Sequence, residues 1–303
     1  MHALFKVLLV LCVATALSGG GAFHRAAGQA GRRVIPSSAR GTLVNVFAIR
    51  ADGATDPVTA RDVSVFDGGV EQSIKGFSPD PGPARIVMLI DNSLSLRSDV
   101  EKLAQAAREF AYEIYEVDQV MIIGYDENAE IISDWTDDAK KVEAALPAFR
   151  KRGEPRLFDA LSAVMDQALR PLGGGTRKRV IVLIADGLDR GSKTRFDSAL
   201  TELQSLDITV YALQIPDRTG GALRRDKPKP AQVVQRLVEG TGGRILSVTE
   251  PREAAKSICD ELRKNRYVLS YTPSYFSYSE ARRLLIVAND GINVRAKTMQ
   301  PAR

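Results

Sequence analysis

The sequence predicts an α/β fold: a doubly wound, mostly parallel sheet with helices on both faces, flanked by a small antiparallel β module built from the N- and C-terminal segments. Three observations lead there. Residues 85–90 (Arg-Ile-Val-Met-Leu-Ile) and 179–185 (Arg-Val-Ile-Val-Leu-Ile-Ala) are continuous apolar runs rich in β-branched side chains. Such runs read as strands buried on both faces, the habit of parallel sheets. Between and after them, patterns of strand length alternate with patterns of helix length, as βαβ units do. Outside that region, residues 42–78 and the stretch from Tyr267 alternate apolar and polar residues, the period of half-buried antiparallel strands.

Taken in order, residues 1–30 begin with Lys6 and an apolar run over 7–17. That run is too short to span a bilayer comfortably and suits a secretory signal, with cleavage expected after Ala22 or Ala30. Residues 31–41, bearing Arg, Ser and Pro, read as a mobile arm. Asp52-Gly53 and Asp67-Gly68 supply turns for a small β module over 42–78, and Pro79-Asp80-Pro81-Gly82-Pro83 reads as a stiff linker. Strand 85–90 is followed by a helix near 99–115, strand 119–125 and a short edge strand at 129–133. Helices near 137–149 and 157–170 precede strand 179–185, a helix near 194–205 and strand 208–214. Residues 253–262 are helical in pattern, and 267–271, 284–287 and 294–297 are β again, expected to pack beside the first β module. The expected units are a leader over 1–30, arm, β module and linker over 31–83, the α/β domain over 84–264 and a β segment over 265–303.

Composition excludes several classes. Both histidines, His2 and His24, sit at the extreme N-terminus. This argues against Ser-His-Asp hydrolysis, Cys-His proteolysis and histidine-ligated zinc. Signal cleavage would remove Cys12 and leave Cys259 alone, so an intramolecular disulfide is not expected; within a helical pattern Cys259 reads as a small buried apolar residue. A net charge of +5 is too modest to argue for nucleic acid, and no other segment approaches membrane-spanning length. Gly173-Gly174-Gly175-Thr176-Arg177-Lys178 lacks phosphate-loop spacing and precedes a strand, so it reads as a turn. The loop 216–230, with Arg218, Arg224, Arg225, Lys227 and Lys229, reads as solvated. Tyr271, Tyr275, Phe276 and Tyr278 read as packing between β elements.

The residues with chemistry to offer lie where the two buried strands end. After Ile90 come Asp91, Asn92, Ser93, Leu94 and Ser95, and after Ala185 come Asp186 and Gly187. Asp, Asn and Ser also favour turns and helix caps, so the pentapeptide alone would describe a strand–turn–helix junction. A second strand ending in a carboxylate at the same rim shifts the balance, because open α/β sheets bind ligands beyond the carboxyl ends of their strands. Carboxylates with two hydroxyls make a hard, all-oxygen set suited to magnesium or manganese.

With these residues the chain resembles the von Willebrand factor type A domain, and more narrowly the secreted "VWFA-related" proteins common in Acidobacteria. Residues 44–53 and 62–69 look like that group's N-terminal β module, and 239–244 and 266–273 are similar to its closing motifs. The resemblance implies a metal-ion-dependent adhesion site in which Asp91, Ser93 and Ser95 hold magnesium, or manganese or calcium in its place, from the first loop. It implies that Asp186 approaches from the fourth strand, often through a water. The family usually adds a threonine from a third loop; here the matching stretch reads Gly153-Glu154-Pro155-Arg156-Leu157-Phe158-Asp159, with Pro155 at the threonine position. Proline has no side-chain oxygen, so affinity should be weakened or lost, with Glu154 as a candidate compensating ligand.

The expected function is therefore a secreted or periplasmic, non-enzymatic module that binds a protein partner, one offering an acidic side chain to the ion. A metal-free scaffold binding by surface contacts is the alternative that Pro155 favours. A divalent-metal-dependent hydrolase ranks below both, since no separate base or nucleophile presents itself.

Overall fold

A computed structural model describes residues 41–173, 178–216, 229–274 and 280–302. The expected leader and arm, most of the glycine-basic turn, the greater part of the basic loop, and Tyr275, Phe276 and Tyr278 lie outside the described residues.

The centre is a six-stranded sheet of β5 (Ala84–Asp91), β6 (Gln119–Tyr125), β7 (Ala129–Thr136), β8 (Lys178–Ala185), β9 (Thr209–Gln214) and β10 (Ile245–Ser247). Its order is β10-β9-β8-β5-β6-β7, parallel except for the edge strand β7, which pairs antiparallel with β6. Alternate side chains of β5 enter two different cores. Ile86, Met88 and Ile90 pack against α1 (Val100–Glu113) and α6 (Pro251–Lys264) through Leu103, Phe110, Ile258 and Leu262. Val87 and Leu89 pack on the other side with α3 (Leu157–Ala163), α4 (Phe196–Ser205) and α5 (Pro230–Thr241), through Leu161, Leu203 and Leu237. Double-sided burial is what removes polar alternation from these strands.

From β5 the chain winds outward through β6 to one edge, then returns to β8 and winds to the other. The reversal falls between β5 and β8, where a crevice opens because successive connections leave to opposite faces. Ile90 is in register with Ile184, so the strands carrying Asp91 and Asp186 end level with each other.

The terminal segments form two four-stranded sheets, ordered β13-β1-β11-β4 and β14-β12-β2-β3. These contain β1 (Thr42–Arg50), β2 (Val63–Asp67), β3 (Val70–Gln72), β4 (Ile74–Pro79), β11 (Arg266–Tyr271), β12 (Arg282–Ala288), β13 (Ile292–Ala296) and β14 (Met299–Gln300). Strand β1 lies between β11 and β13, and β2 pairs with β12, so each sheet joins early and late segments. Val44, Val46, Val65, Tyr267, Leu269 and Leu284 fill the space between the two sheets. The opposite face of β1 turns to the central domain, with Phe47 edge-on to Tyr211 at 6.0 Å between ring centroids.

The elements depart from expectation in several places, and the short edge strand β10 was not expected. The helix near 137–149 is α2 (Ala139–Ala145), followed by a 3₁₀ turn at Leu146–Ala148, where Pro147 withholds an N–H from the helix. The helix near 157–170 changes at Val164–Leu169 to π-type bonding, a local widening. The amphipathic helix α5 was not anticipated, although Val233, Val234, Leu237 and Val238 recur on one face and are buried. Cys259 is buried in α6 as expected, and burial pushes its thiol up, away from reactivity.

Candidate metal-ion site

Asp91 is the last residue of β5 and is 1% exposed. It sits where a parallel strand ends against neighbours on both sides, so its carboxylate is withdrawn from water by the sheet itself. One oxygen, Oδ1, accepts the Ser93 N–H at 2.9 Å, which folds the next two residues into a tight turn over the strand end. That turn brings the Ser93 and Ser95 hydroxyls within 3.1 Å of each other. Leu96, 1% exposed, anchors the far side of the loop in the core. The three oxygen-bearing side chains at alternate positions are thus held on one loop, as the spacing suggested.

Asp186 follows β8 and is 6% exposed. Its Oδ1 accepts the Leu188 N–H at 2.8 Å, the same carboxylate-to-second-residue turn as at Asp91. Gly187 is required there. Its φ is +89°, and a Cβ would lie 2.2 Å from the Pro230 carbonyl oxygen at the start of α5. Helix α5 therefore packs directly on the turn that carries Asp186.

The two carboxylates sense each other. Burial raises Asp91 from the ordinary 3.8 to about 6; hydrogen bonding from Ser93 opposes the rise, and the charge of Asp186 adds to it. Tyr125 was read from the sequence only as part of a strand. It ends β6 in register with Asp91, and burial, with the neighbouring carboxylates, pushes its phenol well above the ordinary value. The Tyr125 phenol is thus held protonated next to the carboxylates, and its buried hydroxyl makes no hydrogen bond among the described residues. Its place at a strand end beside Asp91 was the signal available for finding it.

The third loop is laced to the first. Arg152 N–H donates to the Asn92 carbonyl at 2.9 Å, Leu94 N–H to the Gly153 carbonyl at 3.1 Å, and Asn92 Nδ2 to the Arg150 carbonyl at 2.8 Å. Lys151 Nζ donates to the Leu96 and Ser98 carbonyls. Pro155 is buried, and its carbonyl accepts the Arg190 N–H at 2.6 Å, tying this loop to the one after β8. Glu154 is half-exposed and paired with Arg190, Nη1 to Oε2 at 3.1 Å. Its charge is directed to that arginine. Among the described residues, no three acidic, histidine or cysteine side chains converge into a metal-binding group.

The donors present fit a hard divalent cation. Asp91 is a buried carboxylate whose hydrogen-bond partner, Ser93, is neutral, and it is set beside a second carboxylate and two hydroxyls. A dication would relieve both the burial and the repulsion.

Residues 86–188 match the model of the von Willebrand factor type A domain. Among solved structures, the chain is similar to an aerotolerance-related membrane protein from Bacteroides fragilis NCTC 9343, at 22% identity and a TM-score of 0.46 over 60% of this chain and 99% of that one. It is similar to the conserved hypothetical protein BatB from Bacteroides thetaiotaomicron at 18% identity and a TM-score of 0.47, over 60% and 98% of the two chains. A von Willebrand factor type A structure from Catenulispora acidiphila aligns at 10% identity and a TM-score of 0.46, over 87% of this chain and 74% of that one. No protein of curated function matches the chain.

Proposed function

From the match of residues 86–188 to the model of the von Willebrand factor type A domain, we propose that the protein is an exported interaction module that grips a carboxylate of a protein partner through a divalent ion. Domains of this type are generally protein-interaction modules. The ion, magnesium by preference, would be held by Asp91, Ser93, Ser95 and Asp186. When bound it would neutralise the two carboxylates and offer a remaining coordination position to an acidic group. The observation that carries the reading is the buried, mutually repelling carboxylate pair, with Asp91 raised to about 6, beside two hydroxyls 3.1 Å apart. Buried carboxylates brought close together are characteristically balanced by a cation or a metal.

Glu154 is left out of the proposed set because its charge is engaged by Arg190. A second reading, a metal-free scaffold, draws support from Pro155, which brings no side-chain oxygen to the third loop. Hydrolysis ranks below both: the site offers carboxylates and hydroxyls but no histidine, and Tyr125 is held protonated. Export rests on Lys6 and the apolar run over 7–17. Among the described residues no helix is long and apolar enough to cross a membrane.

Thermal unfolding in EDTA and then in excess magnesium or manganese tests the site. An ion at about 100 times its Kd adds about 2.7 kcal/mol, a shift of several degrees. The shift should vanish in Asp91→Ala. A wild-type protein indifferent to both ions would establish the scaffold reading instead.

A further inference from the structure

The partner-facing rim of the proposed ion site combines one fixed apolar side chain with several uncompensated cations, and neither feature is explained by holding a metal. Leu94 stands between the two serines and is 68% exposed. It is not exposed through slack in the loop. Its N–H is bonded to the Gly153 carbonyl, Ser93 N–H is bonded to Asp91, and Leu96 is buried two residues on. With Leu96 anchored inward, the loop holds Leu94 outward beside the hydroxyls. A leucine fixed in water beside a polar site is a candidate contact residue rather than a packing residue.

The charges lie on the three loops already shown to be bonded together. Arg97, Arg150, Lys151, Lys193 and Arg195 have no acidic partner among the described residues; Lys151 and Arg150 donate to backbone carbonyls only. Arg97, Lys193 and Arg195 are exposed or solvent-facing and make no side-chain bond at all among the described residues. The other rim arginines are matched, Arg152 with Asp126 and Glu130, and Arg190 with Glu154. With a dication balancing Asp91 and Asp186, the unmatched cations outnumber the one acidic group on these loops without a cationic partner, Asp189, which is bonded to Ser192 and the Phe158 N–H, and they leave the rim positive.

Resting on the ion-site reading above, we propose that the site selects an acidic peptide segment in which the coordinating carboxylate is flanked by an aliphatic side chain. Leu94 takes the aliphatic neighbour. Arg97, Lys193 and Arg195 take further acidic residues on either side, adding steering and specificity in the manner of complementary interface charge. The aliphatic contact gives short-range selection that charge alone does not.

The test is fluorescence anisotropy on the full chain with three labelled peptides, in manganese and in EDTA: Glu-Glu-Leu-Asp-Leu-Glu-Glu, Glu-Glu-Ser-Asp-Ser-Glu-Glu and Lys-Lys-Leu-Asp-Leu-Lys-Lys. The first should bind in manganese, the second about tenfold more weakly and the third more weakly still, in keeping with burial of one aliphatic side chain and reversal of several charges. Leu94→Ser should erase the preference for the first peptide over the second, and Lys193→Glu with Arg195→Glu should erase its preference over the third. The manganese-induced thermal shift of both variants should stay as in the wild type, which separates contact from folding and from metal binding. Equal binding of the leucine and serine peptides, or unchanged preferences in the variants, overturns the proposal. So does a protein that binds manganese and none of the peptides, and that result leaves the ion site standing. Peptide selection that persists in EDTA and in Asp91→Ala upholds the rim and overturns the ion-site reading.

Discussion

Replacing Asp91 by asparagine should change stability in opposite senses with and without metal. The side chains are nearly isosteric, and asparagine Oδ1 can still accept the Ser93 N–H that Asp91 accepts at 2.9 Å. What the substitution removes is a negative charge at a site 1% exposed and beside Asp186. The folded-state value of about 6 lies above the ordinary 3.8, so between them the folded protein binds more protons than the unfolded chain. Stability from this group is therefore full below about pH 4, declines as pH rises, and levels off above about pH 6. The difference of about 2 units corresponds to about 3 kcal/mol withheld from the metal-free protein at neutral pH.

Urea unfolding followed by circular dichroism reads this directly. In EDTA near pH 7.5, Asp91→Asn should be more stable than the wild type by up to about 3 kcal/mol, and near pH 4 the gain should disappear. In excess magnesium at neutral pH the wild type should recover about 2.7 kcal/mol at 100 times its Kd, while the variant gains nothing. Metal affinity of the wild type should fall below about pH 6, as protons compete for Asp91. An Asp91→Asn protein destabilised in EDTA equally at both pH values would refute the reasoning, because the carboxylate would then be making favourable interactions rather than enduring burial.

Three other substitutions probe the frame around the site. Pro155→Thr should tighten manganese binding several-fold in calorimetry if the third loop faces the ion, and unchanged affinity would place that loop outside the coordination sphere. Gly187→Ala should lower stability by about 3 kcal/mol and weaken metal binding, because its Cβ would lie 2.2 Å from the Pro230 carbonyl oxygen; a melt close to wild type would contradict the close approach of α5. Val117 is a β-branched residue with φ +70° and 59% exposure, so Val117→Gly should raise the unfolding free energy by about 1 kcal/mol; a loss of stability would show that Val117 earns its conformation through contacts.

The sheet was legible because its chemistry is local. Strands buried on both faces lose their polar residues, and β5 does so over Ile86–Ile90 and β8 over Val180–Ala185. Their terminal aspartates were legible for the same reason, since a carboxylate after such a run has no packing role. What the chain did not declare depended on contacts between distant segments. Tyr125 looked like one more apolar residue in β6 and becomes part of the site only through its register with Asp91. The pairing of Glu154 with Arg190, on a loop 36 residues later, depends on such a contact.

The third loop shows how the substitution at Pro155 and the pairing of Glu154 act together. Pro155 is buried, and its carbonyl is bonded to Arg190 N–H while the arginine side chain grips Glu154. A threonine would need a hydroxyl directed from that position, and the proline instead fixes φ and joins the loop to the one after β8. The loop is thus locked by backbone and ion-pair contacts to its neighbours rather than through a metal. Two carboxylates and two hydroxyls would then carry the ion, with the balance of the shell left to water and the partner. On the proposed reading, such a site would bind metal weakly alone and more tightly once an acidic partner supplies a further oxygen, so that ion and partner each raise the affinity for the other.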